Sequence, residues 1–386
     1  MTNPIVAIDA LSAISGGGLS VARGLCESLA VARPTWTLLM IASHDDALPS
    51  PSPANVEPMR PASAQSTLRR WRFEQVALPR VFSRRDVGAV LLLGGFKIFA
   101  SDCPQAAVWQ NAHIWTPTVA SHGWKLSAYI ALQKIVMRAT VSRVGRNVFL
   151  SADSADRCRR SIDLPETSVE IAPIGIDARF YSNTALPRPF ADRDPYLLAV
   201  GDVYAHKRFE LAIEALAALG DRGAGIELRI AGRILDPPYH ARLVDRIEQS
   251  GLHERVRFLG HVPRERLIEL YGSGLALITS SRLETFGLTP IEAMACGLPV
   301  VACAESAVPE VCGDGADYAS EATGVALAQQ LERLLSNPAD WQDLQRRGLE
   351  RSRRFAWPVV AERYARILES LIGIPSPEKG DAMSNR

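Results

Sequence analysis

The stretch Ser280-Ser-Arg-Leu-Glu284-Thr-Phe-Gly287-Leu-Thr-Pro290-Ile-Glu292-Ala-Met-Ala-Cys-Gly297-Leu-Pro-Val-Val301 decides how this chain of 386 residues is read. It follows an apolar run, Leu275–Thr279, expected to be a strand, and passes into an amphipathic segment, Pro290–Cys296, expected to be a helix. Proline near the first helical turn costs nothing, because its missing N–H would have no partner within the helix. The backbone N–H groups of Phe286, Gly287, Leu288 and Thr289 are therefore expected to face a ligand at the positive end of the helix dipole. Such a site takes a diphosphate or sugar hydroxyls. Glu284 falls in the loop and Glu292 on the helix, so the two carboxylates are expected to differ in task. One can reach a sugar, and the other can accept both hydroxyls of a ribose.

Outward from this stretch, short apolar runs alternate with segments of helical period. The first cycle has strands expected at Ile5–Ile8, Thr37–Ile41, Ala89–Leu93, Ala107–Trp109, Asn147–Leu150 and Val169–Ile171. Helices are expected near Leu19–Val31, Leu68–Phe82, Trp124–Val141 and Ser151–Ser161. After a Pro-, Arg- and Asp-rich loop the cycle restarts at Tyr196–Val200, with strands at Ile226–Ile230, Val256–Leu259, Leu275–Thr279 and Val300–Cys303. Helices at Phe209–Leu219, Ala241–Ser250, Arg264–Tyr271 and Pro290–Cys296 lie between them, and Pro358–Ile372 closes the chain. Strands alternating with helices give parallel sheets covered on both faces. The fold class is α/β, with two Rossmann-like doubly wound domains facing a cleft, over residues 1–186 and 187–356. Residues 357–373 form a last helix and 374–386 a disordered tail. Ligands of such sheets sit beyond the carboxyl ends of the strands, which makes the cleft the expected site.

Three further places draw attention. Leu198-Ala-Val-Gly201-Asp-Val-Tyr-Ala-His-Lys207-Arg208 puts a lysine and an arginine in the loop after a strand. Ser15-Gly16-Gly17-Gly18 links the first strand to the first helix, where glycines let backbone approach a ligand closely or simply make a tight turn. His113, in Val108-Trp-Gln-Asn-Ala-His113, follows another strand, with Asn111 beside it.

The pattern E-x-F-G-x-x-x-x-E-A-M-A-x-G-x-P-V-V between Glu284 and Val301 resembles the E-x7-E signature of retaining glycosyltransferase family 4, the glycosyl transferases group 1. Thr285 stands where that family often has glycine. The segment from Val200 to Ala215 is similar to the family's V-G-x-x-x-x-x-K pattern, and Ala172-Pro-Ile-Gly175-Ile-Asp177 to its P-x-G-[VI]-D turn. The resemblance implies the two-domain GT-B fold, with the last helix crossing back to an acceptor-binding first domain. It implies that Glu284 contacts the transferred sugar, Glu292 the ribose and Lys207 the donor diphosphate. The backbone of Phe286, Gly287 and Leu288 would complete the donor site. It places Gly17 and Gly18 against the donor phosphate and His113 against the donor sugar. The family often has an arginine directly after the glycine of the lysine motif, where this chain has Asp202, so Arg208, or else Arg233 or Arg282, would have to supply the second cation.

The activity so implied is metal-independent, retaining transfer of a hexose, of mannose type, to a saccharide or lipid-linked saccharide acceptor in bacterial surface polysaccharide synthesis. The donor would be a UDP- or GDP-linked nucleotide sugar, with no separate cofactor and no nucleic-acid partner. A sugar-nucleotide epimerase and a catalytically inactive sugar-nucleotide-binding partner are the rivals.

Composition agrees with a globular protein: 47% of residues are hydrophobic and 22% charged. The six cysteines form no C-x-x-C pair and read as reduced thiols. The N-terminus lacks a signal-peptide pattern, and no apolar run reaches the roughly 20 residues needed to span a bilayer, so a cytoplasmic location is expected. Net charge is +5 over residues 1–186 and −4 over the rest. Trp124, Lys125, Tyr129, Lys134, Arg138, Arg143 and Arg146, interleaved with Ile130, Leu132, Ile135 and Val136, suggest peripheral contact of the first domain with the inner face of a membrane.

Overall fold

The computed structural model describes residues 3–13, 17–61, 66–111, 124–182 and 188–374, with the backbone alone for 124–130 and 182. In chain order the described strands are β1 (Ile5–Asp9), β2 (Thr37–Ile41), β3 (Val56–Met59), β4 (Val87–Leu92), β5 (Gln105–Trp109), β6 (Arg146–Phe149) and β7 (Val169–Ile171). They continue as β8 (Tyr196–Val200), β9 (Glu227–Ala231), β10 (Val256–Gly260), β11 (Ala276–Thr279), β12 (Val300–Cys303) and β13 (Ala316–Ala319). The first seven form a sheet of order β3-β2-β1-β4-β5-β6-β7 and the last six one of order β10-β9-β8-β11-β12-β13. Every described pairing is parallel. In each sheet the order reverses beside the first strand, at β1/β4 and at β8/β11, the switch point where doubly wound sheets take ligands.

The chain divides into two compact units. One joins Met1–Leu150, Ala155–Gly175 and Trp357–Arg386, and the other joins Ser151–Ser154 and Ile176–Ala356. The division thus falls between Gly175 and Ile176 rather than after residue 186, and the last helix is part of the first unit.

In the first unit, Gly17–Ala32 buries Val21, Ala22, Leu25, Cys26, Leu29 and Ala30, a spacing of three and four that gives one apolar stripe. The closing helix Trp357–Ile372 reaches the body of the unit through glycines. A Cβ on Gly24 would come within 2.2 Å of the Trp357 indole, and one on Gly175 within 2.3 Å. Gly88 and Gly145 make room in the same way for Ile372 and Leu371. Arg33 completes the attachment, donating to Glu369 at 2.6 Å and to Glu362 at 3.0 Å.

One expected helix, Leu68–Phe82, is interrupted. Thr67–Arg72 passes through a wide turn at Phe73–Ala77 into Leu78–Arg85. Pro79 is the cause: it has no N–H to return to the preceding turn and its ring crowds that turn. Strand β3 carries Pro58, which an edge strand tolerates and a central one does not.

In the second unit the core lies between the sheet and the helices Phe209–Ala218, Pro237–Gln249 and Gly324–Ser336, around Leu197, Ile213, Leu228, Ile230, Leu327 and Trp341. The buried guanidinium of Arg193 faces carbonyls rather than a carboxylate. It donates to Tyr271 O and Gly274 O at the end of Arg264–Ser273, and to Gly297 O just past Leu288–Ala295. A cation there satisfies carbonyls at the negative ends of two helices. It secures the rear of the helix whose N-terminus opens at the switch point.

Candidate functional site

The loops after β8 and β11 carry the candidate residues. Gly201 has φ 147° and Gly232 has φ 159°, and a Cβ on Gly232 would stand 1.9 Å from Gly201 O. Only glycine lets the ends of β8 and β9 approach this closely. A Cβ on Gly201 would lie 3.0 Å from Cε of Lys207, so the lysine stem folds back over the glycine. Its ammonium Nζ donates to Glu284 Oε1 at 2.6 Å. Both side chains are less than one-fifth exposed. The two residues, 77 apart in sequence, are brought together by adjacent strands at the switch point.

Burial alone would raise the Glu284 pKa. The charge and hydrogen bond of Lys207, a hydrogen bond from Ser281 and the charge of His206 together hold it below the ordinary glutamate value. Glu284 is an anion with its countercharge already present. Its backbone is fixed as well: the N–H donates to Ser306 Oγ at 2.9 Å, and that hydroxyl donates back to Glu284 O at 2.8 Å.

Glu292 sits in the opposite environment. Burial pushes its pKa up to about 8, opposed by the Arg264 charge and a hydrogen bond from Tyr271, and reinforced by the charge of Asp177. Tyr271 donates its hydroxyl to Glu292 Oε2 at a long 3.4 Å, and Arg264 is itself bound to Asp177 at 2.7 Å. The two glutamates therefore belong to separate networks.

The helix itself spans Leu288–Ala295 and begins from Gly287 in the left-handed region, at φ 93°. Its first-turn N–H groups are those of Leu288 and Thr289, since Pro290 has none. Phe286 lies before the helix and its ring is buried against Phe355, with centroids 5.2 Å apart and planes at 78°. Any contact it makes with a ligand is thus through its main chain, and its side chain is a packing anchor.

Arg208 is the N-cap of Phe209–Ala218, with φ 50°. Its guanidinium is committed to Ser280 O at 2.8 Å and to the Glu305 carboxylate. Ser280 Oγ in turn lies 2.9 Å from both Lys207 O and Arg208 O, and Arg282 N–H donates to His206 O at 2.8 Å. Arg208 thereby holds the two loops in register. Asp202 turns onto Arg233, accepting its N–H at 3.0 Å and its guanidinium at 2.6 and 3.2 Å, so the carboxylate is neutralised where it stands.

In the first unit, Gly17 and Gly18 open the first helix rather than precede it, and the nearest neighbour to a Cβ on Gly18 is Ala13 at 3.8 Å, which is ordinary contact. Ser15, Gly16 and His113 lie outside the described residues, as do the side chains of Trp124, Lys125, Tyr129 and Ile130. All six cysteines are free thiols, with five buried and Cys103 partly exposed. No described helix is long and apolar enough to cross a membrane.

Sequence reasoning missed Ser306, Glu305, Arg264, Asp177 and Tyr271. For Glu305 and Ser306 a signal existed, since they come one residue past the carboxyl end of β12. It missed another cluster at the first switch point. Asp9, at the end of β1, is pushed by burial up to about 6, and Glu74 by burial and the Asp9 charge up to about 8. The Arg70 charge opposes both shifts.

Residues 187–352 match the family model of glycosyl transferases group 1. The match falls wholly within the second unit. The matched segment contains Lys207, Arg208, Glu284 and Glu292. Among curated relatives, mannosylfructose-phosphate synthase of Agrobacterium fabrum is 27% identical over 56% of this chain and 51% of its own length. The O-antigen chain mannosyltransferase B of Escherichia coli is 34% identical over 30% of each chain. The first of these matches thus spans about half the length of the relative. Among solved structures, sucrose-phosphate synthase of Thermosynechococcus elongatus superposes with a TM-score of 0.75 at 20% identity, covering 97% of this chain and all of that one. HepE of Anabaena, solved with UDP-glucose, gives a TM-score of 0.70 at 17% identity over 95% and 99% of the two chains. The fold is that of the GT-B glycosyltransferases.

Proposed function

We propose that this chain is a group 1 glycosyl transferase, a retaining hexosyltransferase that takes its sugar from a nucleoside diphosphate donor. The observation that carries the proposal is the Lys207–Glu284 contact at the β8/β11 switch point, beside a helix N-terminus whose other carboxylate, Glu292, lies in a separate network. In this scheme the donor diphosphate draws Lys207 onto itself and sits on the N–H groups of Leu288 and Thr289. Charge developing on the leaving diphosphate is then met by a cation and a helix dipole already in place. Glu284, relieved of its lysine, accepts from hydroxyls of the transferred sugar, and Glu292 accepts from the ribose. Gly287 and the Phe286 main chain border the phosphate, and Arg208 acts as a positioning residue. Gly17, Gly18 and His113 are assigned to the donor by family resemblance alone.

The acceptor attacks from the face that the leaving group departs, and a diphosphate oxygen takes its proton. The scheme calls on no metal and no cofactor beyond the donor. We take the sugar to be of mannose type and the acceptor a saccharide or lipid-linked saccharide of a bacterial surface polymer, made on the cytoplasmic side. The relatives named mannosylfructose-phosphate synthase and O-antigen chain mannosyltransferase B support this choice.

The test is to screen UDP-, GDP- and dTDP-linked hexoses for stabilisation of the folded protein, then to incubate the binder with saccharide acceptors and analyse the anomeric configuration of the product. Donor binding and retained configuration are expected, with transfer lost in Lys207→Met. Epimerised donor in the absence of acceptor would favour an epimerase, and donor binding without transfer to any acceptor an inactive binding partner.

A further inference from the structure

One side of the second unit's sheet carries charge at its β9–β10 edge, where a covering layer would call for apolar residues. Strands of a parallel sheet covered on both faces are apolar on both sides. Along β9 the side chains alternate: Leu228 and Ile230 enter the core, while Glu227 and Arg229 take the opposite face. On β10, Arg257 and Leu259 share that face. The register sets Arg257 beside Arg229, and Glu227 beside Tyr196 of β8. Gly260, with φ 66°, turns the chain out of β10, and Pro263 leads into the helix Arg264–Ser273. That helix brings Arg266 and Leu270 to the same place, and together these elements line a cavity of about 520 Å³. Small-molecule sites run from about 300 to 1,000 Å³.

The charge on the cavity wall is unbalanced. Like charges directly opposite each other on neighbouring strands repel, and here one carboxylate serves two guanidinium groups. Glu227 accepts from Arg229 Nε at 3.1 Å and from its Nη2 at 3.0 Å, and from Arg257 Nε at 3.2 Å. Arg229 is also fixed by Tyr196, whose ring centroid lies 3.9 Å from the guanidinium carbon. Among the described residues Arg257 is held through Nε alone, which leaves both its Nη groups for another acceptor. Arg266 gives Nη1 to the exposed Glu269. Glu227 is the one carboxylate lining the cavity, against three arginines and His261. The rest of the lining is apolar, from Leu259, Val262, Pro263 and Leu270.

We infer that this cavity binds a small organic phosphate ester, with its phosphate among Arg229, Arg257 and Arg266 and its carbon body against Leu259, Val262 and Leu270. Guanidinium forks match phosphate oxygens two at a time, and such charge-assisted pairs are the strong ones. A phosphate dianion supplies the negative charge that Glu227 provides only in part. The apolar lining gives an ester a contact that inorganic phosphate cannot use. Neither Lys207, Glu284 nor Glu292 lines the cavity, so the inference goes beyond the transferase proposal and does not depend on it.

The test is calorimetric titration of the full-length protein with glucose 6-phosphate, and separately with glucose and with inorganic phosphate, at low and high salt. Saturable binding of one glucose 6-phosphate per chain is expected, weakened by salt, with inorganic phosphate weaker and glucose not bound. Arg257→Gln/Arg266→Gln should weaken the ester at least about tenfold, since both residues are largely exposed and each loses a charge-assisted bond to it. Glu227→Gln should tighten it several-fold, because the carboxylate that competes for Arg229 and Arg257 is gone. Unchanged melting temperatures show that the variants fold. Lys207→Met, which alters the proposed donor site, should bind the ester as wild type does. Absence of saturable binding overturns the inference, as does equal binding by the folded Arg257→Gln/Arg266→Gln variant. Inorganic phosphate binding as tightly as the ester would overturn the assignment of an ester. Loss of binding in Lys207→Met would place the ligand in the donor site instead.

Discussion

Glu284 and Glu292 lie eight residues apart in one motif, yet the fold treats them in opposite ways. Glu284 is buried beside Lys207 and kept ionised below the usual glutamate range. Glu292 is buried with a more distant cation and a weak tyrosine hydrogen bond, and it keeps its proton up to about 8. Similar burial thus has opposite outcomes, and the presence of a contacting cation decides which. In sequence the two look alike, because the lysine that separates them is 77 residues upstream of Glu284.

The widest separation between them should appear in catalysis. Glu284→Gln is expected to lower kcat by about 10²–10³, the range for removing one preorganised polar contact to the reacting centre. If Glu292 holds the donor ribose as proposed, Glu292→Gln should act mainly on KM and nucleotide affinity, because that contact would be the same in the ground and transition states. Steady-state kinetics with nucleotide titration would break the comparison if both variants lost kcat alike. Next in size is stability. Lys207→Met strands the Glu284 carboxylate and should cost about 2–3 kcal/mol at neutral pH, read from denaturant unfolding. Much of that loss should return in Lys207→Met/Glu284→Gln, whereas adding Glu292→Gln to Lys207→Met should return none of it.

pH sharpens the contrast because the signs differ. The folded chain holds the Glu292 proton up to about 8, while the unfolded chain releases it near the ordinary glutamate value. Wild type should therefore lose stability relative to Glu292→Gln as pH rises through that window, by at most about 1.4 kcal/mol per pH unit. For Glu284 the folded value is the lower one, so its contribution should be lost only as pH falls below the ordinary glutamate range. Melting curves from acid to mildly alkaline pH give both slopes. The smallest effect should come from Tyr271→Phe, which removes one long hydrogen bond to Glu292. A loss of about 0.5–1 kcal/mol is expected in thermal unfolding, with little change in kcat.

What was legible in the sequence follows from how far apart the deciding residues lie. Strands β2, β8 and β12 lie where apolar runs predict them, because strands of a parallel sheet covered on both faces are continuously apolar. Strand β3, Val-Glu-Pro-Met, carries no such run and was missed, since an edge position relaxes the demand. The helices Gly324–Ser336 and Pro338–Ser352 were also missed. The individual groups of the site were visible as residues after strands, but their pairings were not. That Lys207 meets Glu284, that Asp202 is taken up by Arg233, and that Phe286 points into the core depend on strand order and loop packing across long separations.

The two units also differ in when their chains become complete. Residues 176–356 are contiguous, so the sheet that carries Lys207 and Glu284 can assemble as soon as that stretch has been synthesised. The first unit begins earlier and finishes later. The gap between Gly24 and Gly175 is filled by Trp357, and the helix that follows lies on surfaces made by residues translated long before. During synthesis the older half of the protein must therefore wait with an apolar seam open until the last turns of the chain emerge. Loss of those final turns, by a premature stop or proteolytic nicking, would leave the sheet that carries Lys207 and Glu284 whole and expose the interior of its companion to aggregation.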